Sequence, residues 1–209
     1  MTIQAKDANS NNRTTGGDAV VVSVTGANTA SASVTDNSNG TYTATYTPTV
    51  AGVDAIAITL GGGAISGSPF ASTISPASLH HFTVTNTSDL SIGSQAAGTS
   101  FTIKVVAQDA NNNTVTGFTG TVTISSTGTL SAGSGATAAL TSGVLASHAV
   151  TLSNTGSVTI TATRTTGGIQ AGTSNAFTVT AGAASALFIA QQPSAAPTAG
   201  ATFAQQPVI

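Results

Sequence analysis

The chain has few charged residues and few large aromatic ones, and it has no cysteine. There is no Cys, no Trp and no Glu, and only four Lys and Arg stand against six Asp in 209 residues. Without Cys there can be no disulfide, thiolate metal site or Cys nucleophile. Without a basic cluster there is little to neutralise phosphate groups. Nucleic acid and anionic membrane surfaces are therefore not expected partners.

No segment has the composition of a targeting or membrane-spanning element. No stretch approaches the ~20 uninterrupted apolar residues that a membrane helix needs. The opening residues carry no basic region followed by an apolar run, so they do not read as a signal peptide. We expect no membrane insertion within this chain, and we expect any export signal or anchor to lie outside it.

The sequence repeats itself at a separation of 102 residues. Ile3–Asn9 recurs as Val105–Asn111, and Ala97–Phe101 recurs as Ala199–Phe203. This interval is too long for a solenoid repeat and matches a sandwich domain of about 100 residues. The chain is therefore predicted to be a tandem array of domains.

Apolar and polar residues alternate along most of the chain, which is typical of strands with one buried face. In Thr41–Thr47, for example, Tyr42, Ala44 and Tyr46 share one face and Thr residues occupy the other. Turn clusters rich in Gly and Asn separate these segments. We predict an all-β protein of tandem immunoglobulin-like β-sandwich domains, the first and last of them incomplete. In the middle domain strands are expected near 80–86, 99–108, 120–125, 135–140, 143–152, 156–164 and 174–180.

Residues 1–76 resemble a filamin-type immunoglobulin repeat. The resemblance is carried by Asp36–Pro48, with its Gly-Thr-Tyr segment, by Ala51-Gly52, and by Gly67–Phe70 ahead of a last strand. It implies strands near 1–6, 19–25, 31–35, 41–47, 54–60 and 70–74. It also implies that the first strand of this repeat would precede Met1.

The remaining residues resemble the immunoglobulin-like repeats of long bacterial surface proteins. Residues 77–182 are predicted to form a complete domain, and residues 183–209 resemble the truncated start of a third repeat. Two explanations for the incomplete ends stay open. The chain is a fragment of a longer reading frame, or residues 183–209 of one molecule supply the missing first strand of another by head-to-tail self-association.

Two predicted turns contain the sequence Asp-x-Asn-x-Asn, with which a calcium loop of oxygen ligands begins. The weak calcium candidates are Asp7, Asn9, Asn11 and Asp18 in the first turn, and Asp109, Asn111 and Asn113 in the second. Neither loop has Gly at its sixth position, where Asn12 and Thr114 stand. We expect side-chain-to-backbone turns here and no metal or other cofactor.

Histidines and hydroxyl residues do not suggest a catalytic site. His80 and His81 are adjacent and are expected on opposite faces of a strand, and His148 is expected alone in a hairpin. There is no Gly-x-Ser-x-Gly elbow and no paired-carboxylate pattern. We therefore expect no enzyme activity and no catalytic residue.

These features favour a non-enzymatic structural or spacer segment of a large exported repeat protein, and we expect a bacterial cell-surface or adhesin-like stalk. The expected location is extracellular or at the cell surface, and a protein or cell-surface partner is compatible with the sequence. Two alternatives remain. One is a protein-binding module that adds a partner's strand at a sheet edge, and the other is an accessory domain of a secreted polysaccharide-active enzyme.

Overall fold

A computed structural model describes residues 1–192, 196 and 198–202, and within them the chain forms strands and no helix. In the first part of the chain the strands are β1 (Thr2–Gln4), β2 (Val20–Gly26), β3 (Ala30–Ser31), β4 (Ser33–Asp36), β5 (Thr41–Thr45), β6 (Gly52–Leu60), β7 (Gly63–Ala64) and β8 (Phe70–Ile74). In the second part they are β9 (His81–Thr85), β10 (Gln95–Ala96), β11 (Ser100–Gln108), β12 (Val122–Ser126), β13 (Leu130–Ala132), β14 (Gly135–Ala136), β15 (Val144–Leu152), β16 (Gly156–Val158), β17 (Ile160–Arg164), β18 (Ala171–Thr173) and β19 (Phe177–Thr180).

The strands make two β-sandwiches in sequence. In the first sandwich β1, β5 and β4 form one sheet, while β3, β2, β6 and β7 form the other, in which β8 also pairs with β6. In the second, β13, β15, β11 and β9 form one sheet and β14, β12, β17 and β18 form the other, with a smaller sheet of β10, β19 and β16. The prediction of an all-β chain of tandem immunoglobulin-like sandwiches is confirmed.

Each sandwich has its own core, built from the apolar side of the alternating strands. The second core is the larger one and includes Phe82, Val84, Ile103, Val105, Val122, Ile124, Val150, Leu152 and Ile160. The first is smaller and is centred on Val22, Ala44 and Ile58. The edge-to-face pair of Phe82 and Phe118, with centroids 5.5 Å apart, closes the second core beside β9.

The two sandwiches differ at one sheet edge. In the second, β11 pairs with β15 on one side and with β9 on the other, with Val105 opposite Val84 and Ala107 opposite Phe82. In the first, β1 occupies the place of β11 and pairs with β5. Within the described residues no strand lies on the other edge of β1. An apolar groove of about 340 Å³ runs beside this edge, lined among others by Ile3, Ile58 and Ile65.

Most predicted strands are present within a few residues, but the strand expected at 135–140 is wrong. Only Gly135 and Ala136 pair with β12. Beyond them the Thr137 hydroxyl donates to the carbonyl of Ala138, and Leu140 enters the core from a loop. Thr137 and Leu140 are buried here without a strand ladder, whereas Ala138 and Ala139 are exposed, so the apolar residues of this segment did not mark a strand. The short strands β7, β10, β13 and β18 were not predicted.

We predict that Ile103→Ala lowers the free energy of unfolding of the second sandwich by about 2–5 kcal/mol, because it opens a cavity in a packed core. Ile103 is fully buried, whereas Ile169 lies in an exposed turn. Urea unfolding followed by circular dichroism reports both sandwiches, while tyrosine fluorescence reports only the first, which contains both Tyr residues. The Ile169→Ala control should change stability by less than about 0.5 kcal/mol. An equal loss in both variants would contradict the core assignment.

Candidate functional site

The most highly connected polar side chain of the second sandwich is Asp109, in the turn of residues 109–113 that follows β11 (the Asp109 turn). Its Oδ1 atom accepts hydrogen bonds from the backbone N–H groups of Asn111 and Asn113, both 2.9 Å long. Asp109 is only 1% exposed. A buried carboxylate must be satisfied by donors on all sides, so its surroundings are constrained.

The Asp109 turn contacts the linker and the first sandwich directly. The Oδ2 atom of Asp109 accepts the backbone N–H of Ala77 at 2.9 Å, which fixes the linker between the sandwiches. The Asn113 amide donates to Asp109 and to the carbonyl of Thr49 at 2.8 Å. Its Oδ1 atom accepts the N–H of Ala51 at 2.9 Å. Two hydrogen bonds of Asn113 thus join the two sandwiches, and one hydrogen bond of Asp109 holds the linker between them.

A second buried polar cluster, formed by Asn28 and Asp54, fixes the loop of the first sandwich that contacts Asn113. Asn28 accepts the N–H groups of Thr49 and Val50 through Oδ1, at 2.9 Å each, and donates to the carbonyl of Val50. Asn28 is itself bound by Asp54, which is fully buried and also accepts the Tyr46 hydroxyl at 3.0 Å. The loop that meets Asn113 is therefore anchored in the interior of the first sandwich.

Hydrogen bonding keeps both carboxyl groups ionised. The Asn113 side chain, helped by backbone N–H groups, lowers the pKa of Asp109 to about 2 although burial opposes this shift. For Asp54, burial raises the pKa, but the hydrogen bonds from Asn28 and Tyr46 outweigh it and the pKa lies below its ordinary value. Two buried negative charges therefore stand at the junction, each surrounded by donors.

The first Asp-x-Asn-x-Asn motif forms the same turn, but on the surface (the Asp7 turn, residues 7–11). Asp7 Oδ1 accepts the N–H groups of Asn9 and Asn11 at 2.9 Å, and its Oδ2 accepts the Asn11 amide at 3.0 Å. These hydrogen bonds, led by that of the Asn11 side chain, lower the pKa of Asp7. The geometry of Asp109 and Asn113 is repeated here with both side chains exposed.

The calcium candidates take part in hydrogen bonds within and near their own turns. Asn9 and Asn111 contribute backbone N–H groups to the turns, and Asp18 binds the Tyr42 hydroxyl at 3.0 Å and lies 3.5 Å from Arg13. Among residues 1–192, 196 and 198–202, no three His, Asp or Glu side chains come together. The oxygens of Asp7 and Asp109 are engaged by N–H donors.

The histidine predictions need correction. His80 precedes β9, so strand alternation does not apply to it, and its Nδ1 lies 3.2 Å from Nδ1 of His81 instead of on the opposite face. His148 lies on the long antiparallel strand β15, with Nε2 2.9 Å from the carbonyl oxygen of Gly133.

Sequence reasoning missed the cluster behind the junction. Asn28 sits in a turn with no distinctive pattern around it. Asp54, however, shares the inward face of β6 with Ile56 and Ile58. Because a buried carboxylate needs hydrogen-bond donors, its inward position in the sequence pattern could have indicated a buried polar cluster.

Comparison with known proteins finds one family model and several similar solved structures. Residues 1–71 match the Filamin/ABP280 repeat family model. No curated protein matches the chain. Similar solved structures include invasin, a bacterial integrin-binding protein (20% identity, TM-score 0.43, covering 86% of this chain and 36% of that one), and FdeC, an Escherichia coli adhesin (27%, 0.47, 87% and 58%). The surface-layer protein SbsC, domains 1–6, is also similar (21%, 0.34, 96% and 26%).

The predicted resemblance is confirmed to this extent: residues 1–71 match a filamin-repeat family model, and the similar solved structures are bacterial adhesin, invasin and surface-layer proteins. The chain spans less than two thirds of the length of each of these structures. In the part of the chain that the structure describes, no helix is long and apolar enough to cross a membrane.

We predict that acid loosens the junction between about pH 4 and pH 2. Because the native pKa of Asp109 lies below its ordinary value of 3.8, the stabilisation it gives is complete above about pH 4 and is lost as the pH falls through about 2. The amide NMR signal of Ala77 should titrate with a midpoint near 2, and this step should be absent in Asp109→Asn. A midpoint near 4 would show that the carboxyl group is not held as described.

We predict that Asn28→Ala destabilises the first sandwich by about 1–3 kcal/mol, because the N–H groups of Thr49 and Val50 lose their buried acceptor. Tyrosine fluorescence during urea unfolding measures this loss. Asn9→Ala is the matched control, since the Asn9 side chain is exposed and contributes only its backbone N–H to the turn. Equal unfolding midpoints for the two variants would refute the anchoring role of Asn28.

Proposed function

We propose that this chain is a non-enzymatic spacer segment of an exported cell-surface repeat protein, in which consecutive sandwiches are held at a defined angle. The observation that carries the proposal is the Asp109 turn, which bonds both the linker at Ala77 and the loop at Thr49 and Ala51. A freely jointed linker would leave the two domains independent. These contacts oppose that freedom at the linker between the two sandwiches.

The position of the contacts suits transmission of force along the chain. They join the end of the first sandwich, where β8 finishes, to the end of the second, where β9 begins. The loop on the first side is anchored to buried Asp54 through Asn28, and the turn on the second side is anchored to β11. Tension at the junction is therefore passed to interior strands instead of to loose loops.

The surface composition supports an exposed, extended location. Outward strand positions carry mostly Thr and Ser. On the neighbouring strands β17 and β18, for example, the hydroxyl groups of Thr161 and Thr173 lie 2.9 Å apart. Only 5% of residues are charged. Such a surface is solvated by hydroxyl groups and offers little electrostatic attraction to unrelated molecules. A protein or cell-surface partner would then be engaged by other parts of the full protein.

We predict that the two sandwiches keep a narrow distribution of separations, and that Asn113→Ala broadens it. The chain has no Cys, so spin labels can be placed at Ser33→Cys and Ser147→Cys, exposed positions on β4 and β15. Pulsed electron paramagnetic resonance measures the distance distribution between the labels. Loss of the Asn113 amide removes both of its hydrogen bonds to the first sandwich, so the distribution should widen.

Asn111→Ala is the matched control for this experiment. Asn111 lies in the same turn and is exposed, and it contributes its backbone N–H to Asp109. Its substitution should leave the distance distribution unchanged. A broad distribution in the unsubstituted chain, or equal widths for all three proteins, would rule out a spacer of defined geometry.

A further inference from the structure

A polar pocket lies on the outward face of the second sandwich, where β9, β11 and the start of β15 run side by side (the β11 pocket). Its volume of about 380 Å³ falls within the range of about 300–1,000 Å³ that is typical of small-ligand sites. Every residue that lines it belongs to the second sandwich. The lining includes Thr85, Asp89, Lys104, Val106, Gln108 and Val144.

The floor of the β11 pocket is apolar and recessed. Val106 of β11 lies opposite Val144 of β15, so these two side chains form the floor next to each other. The pairing of β11 with β15 shifts register between Ile103 and Val105, and such an irregularity bends the sheet locally. Val106 is only 8% exposed although it lies on the outward face. The pocket is therefore a hollow in the sheet surface with walls around it.

Two polar atoms of the pocket residues lack a hydrogen-bond partner. Oγ1 of Thr85 and Oε1 of Gln108 are both buried, and neither has a partner within the described residues. Nε2 of Gln108, in contrast, donates to the carbonyl oxygen of Asn112 at 2.9 Å, which holds this side chain in place. Buried polar atoms without partners are rare in native proteins because they cost free energy. A ligand that supplies the missing partners recovers this free energy.

An ion pair lies at the Thr85 end of the pocket. Lys104 is opposite Thr85 in the register of β9 and β11, and its Nζ lies 2.7 Å from Oδ1 of Asp89, on the loop after β9. The side chain of Asp89 is 63% exposed. An exposed ion pair contributes little stability, because water screens its charges and its side chains lose freedom. The pair can therefore separate at little cost and open the way to Thr85.

The charges and unpaired atoms of the pocket favour a neutral, polar ligand. The charges of Lys104 and Asp89 cancel, so an anion or a cation would bind one of them and leave the other without its partner. An apolar ligand would leave the Thr85 and Gln108 oxygens unpaired. A hydroxyl group both donates and accepts hydrogen bonds. A ligand with several hydroxyl groups can therefore serve all four side chains.

The length of the pocket favours an extended ligand. Lys104 and Gln108 lie on the same face of β11, four residues and therefore about 14 Å apart. A single small zwitterion such as a free amino acid cannot reach from one to the other. A short saccharide carries hydroxyl groups along its length, and its C–H groups can pack on the apolar floor of Val106 and Val144.

We propose that the β11 pocket binds a short neutral saccharide. The saccharide lies along β11 on the apolar floor, and one of its hydroxyl groups donates to Oε1 of Gln108. At the other end the ion pair separates, so that the Lys104 ammonium donates to one ligand hydroxyl and the Asp89 carboxylate accepts from another. Thr85 Oγ1 then gains a ligand hydroxyl as its partner. This binding goes beyond the proposed spacer role and would give the segment a contact with surrounding polysaccharide.

An NMR titration of the intact 209-residue chain tests the proposal. The neutral probes are maltose, cellobiose, lactose and the N-acetylglucosamine dimer, and the charged probes are digalacturonate and the glucosamine dimer. At least one neutral probe should cause saturable shifts of the amide signals of residues 83–85 and 104–108. The signals of β17, in the opposite sheet, should stay in place. Each charged probe should bind more weakly than that neutral probe.

Thr85→Val is the decisive variant, because it removes the hydroxyl group and keeps a branched side chain of the same shape. Thr85 Oγ1 has no partner within the described residues, so the substitution should not lower the free energy of unfolding. It should nevertheless weaken saccharide binding about tenfold, since the ligand loses a hydrogen bond. Thr163→Val is the matched control at an outward position of β17, and it should bind like the unsubstituted chain.

Four results would each overturn the proposal. Unchanged signals with every neutral probe would mean that the pocket holds solvent only. Shifts confined to residues outside the pocket, tighter binding of a charged probe, or equal affinity of the Thr85→Val and Thr163→Val variants would also contradict it. The spacer proposal rests on the Asp109 turn and is tested by distances between the sandwiches, so the two proposals can fail independently.

Discussion

The arrangement of the two sandwiches depends on the need of one buried carboxylate for hydrogen-bond donors. Asp109 is almost fully buried and ionised, and removing any donor would leave part of its charge unsatisfied. Two donors come from its own turn, one comes from the linker and one from Asn113. Because Asn113 is held in this way, its remaining amide groups point to the first sandwich with little freedom.

The polar groups at the junction form a continuous series from one interior to the other. Asp54 holds Asn28, Asn28 holds the loop at Thr49 and Val50, and that loop meets Asn113, which Asp109 holds. Apolar packing stabilises each sandwich by itself but is indifferent to direction. Hydrogen bonds are directional, so they can set the relation between domains without a large apolar interface.

The sequence alone predicts the fold well and the junction poorly. Period-two alternation, as in Thr41–Thr47, reports burial of one strand face and so locates strands and the sandwich class. The Asp-x-Asn-x-Asn motif predicts a turn after both Asp7 and Asp109, because the Asp side chain can accept hydrogen bonds from the N–H groups two and four residues ahead. Whether that turn faces water, as at Asp7, or a neighbouring loop, as at Asp109, depends on contacts 60 or more residues away, which no local pattern encodes.

The hydrogen-exchange rate of the Ala51 amide is the most direct measure of the coupling between the sandwiches. Its N–H is bound by Asn113 of the other sandwich. Coupling predicts slow exchange in the unsubstituted chain, exchange at least tenfold faster in Asn113→Ala, and an unchanged rate in Asn111→Ala. Fast exchange in all three proteins, or an Ala51 exchange rate that does not change in Asn113→Ala, would mean that the two sandwiches are not joined through the Asp109 turn in solution.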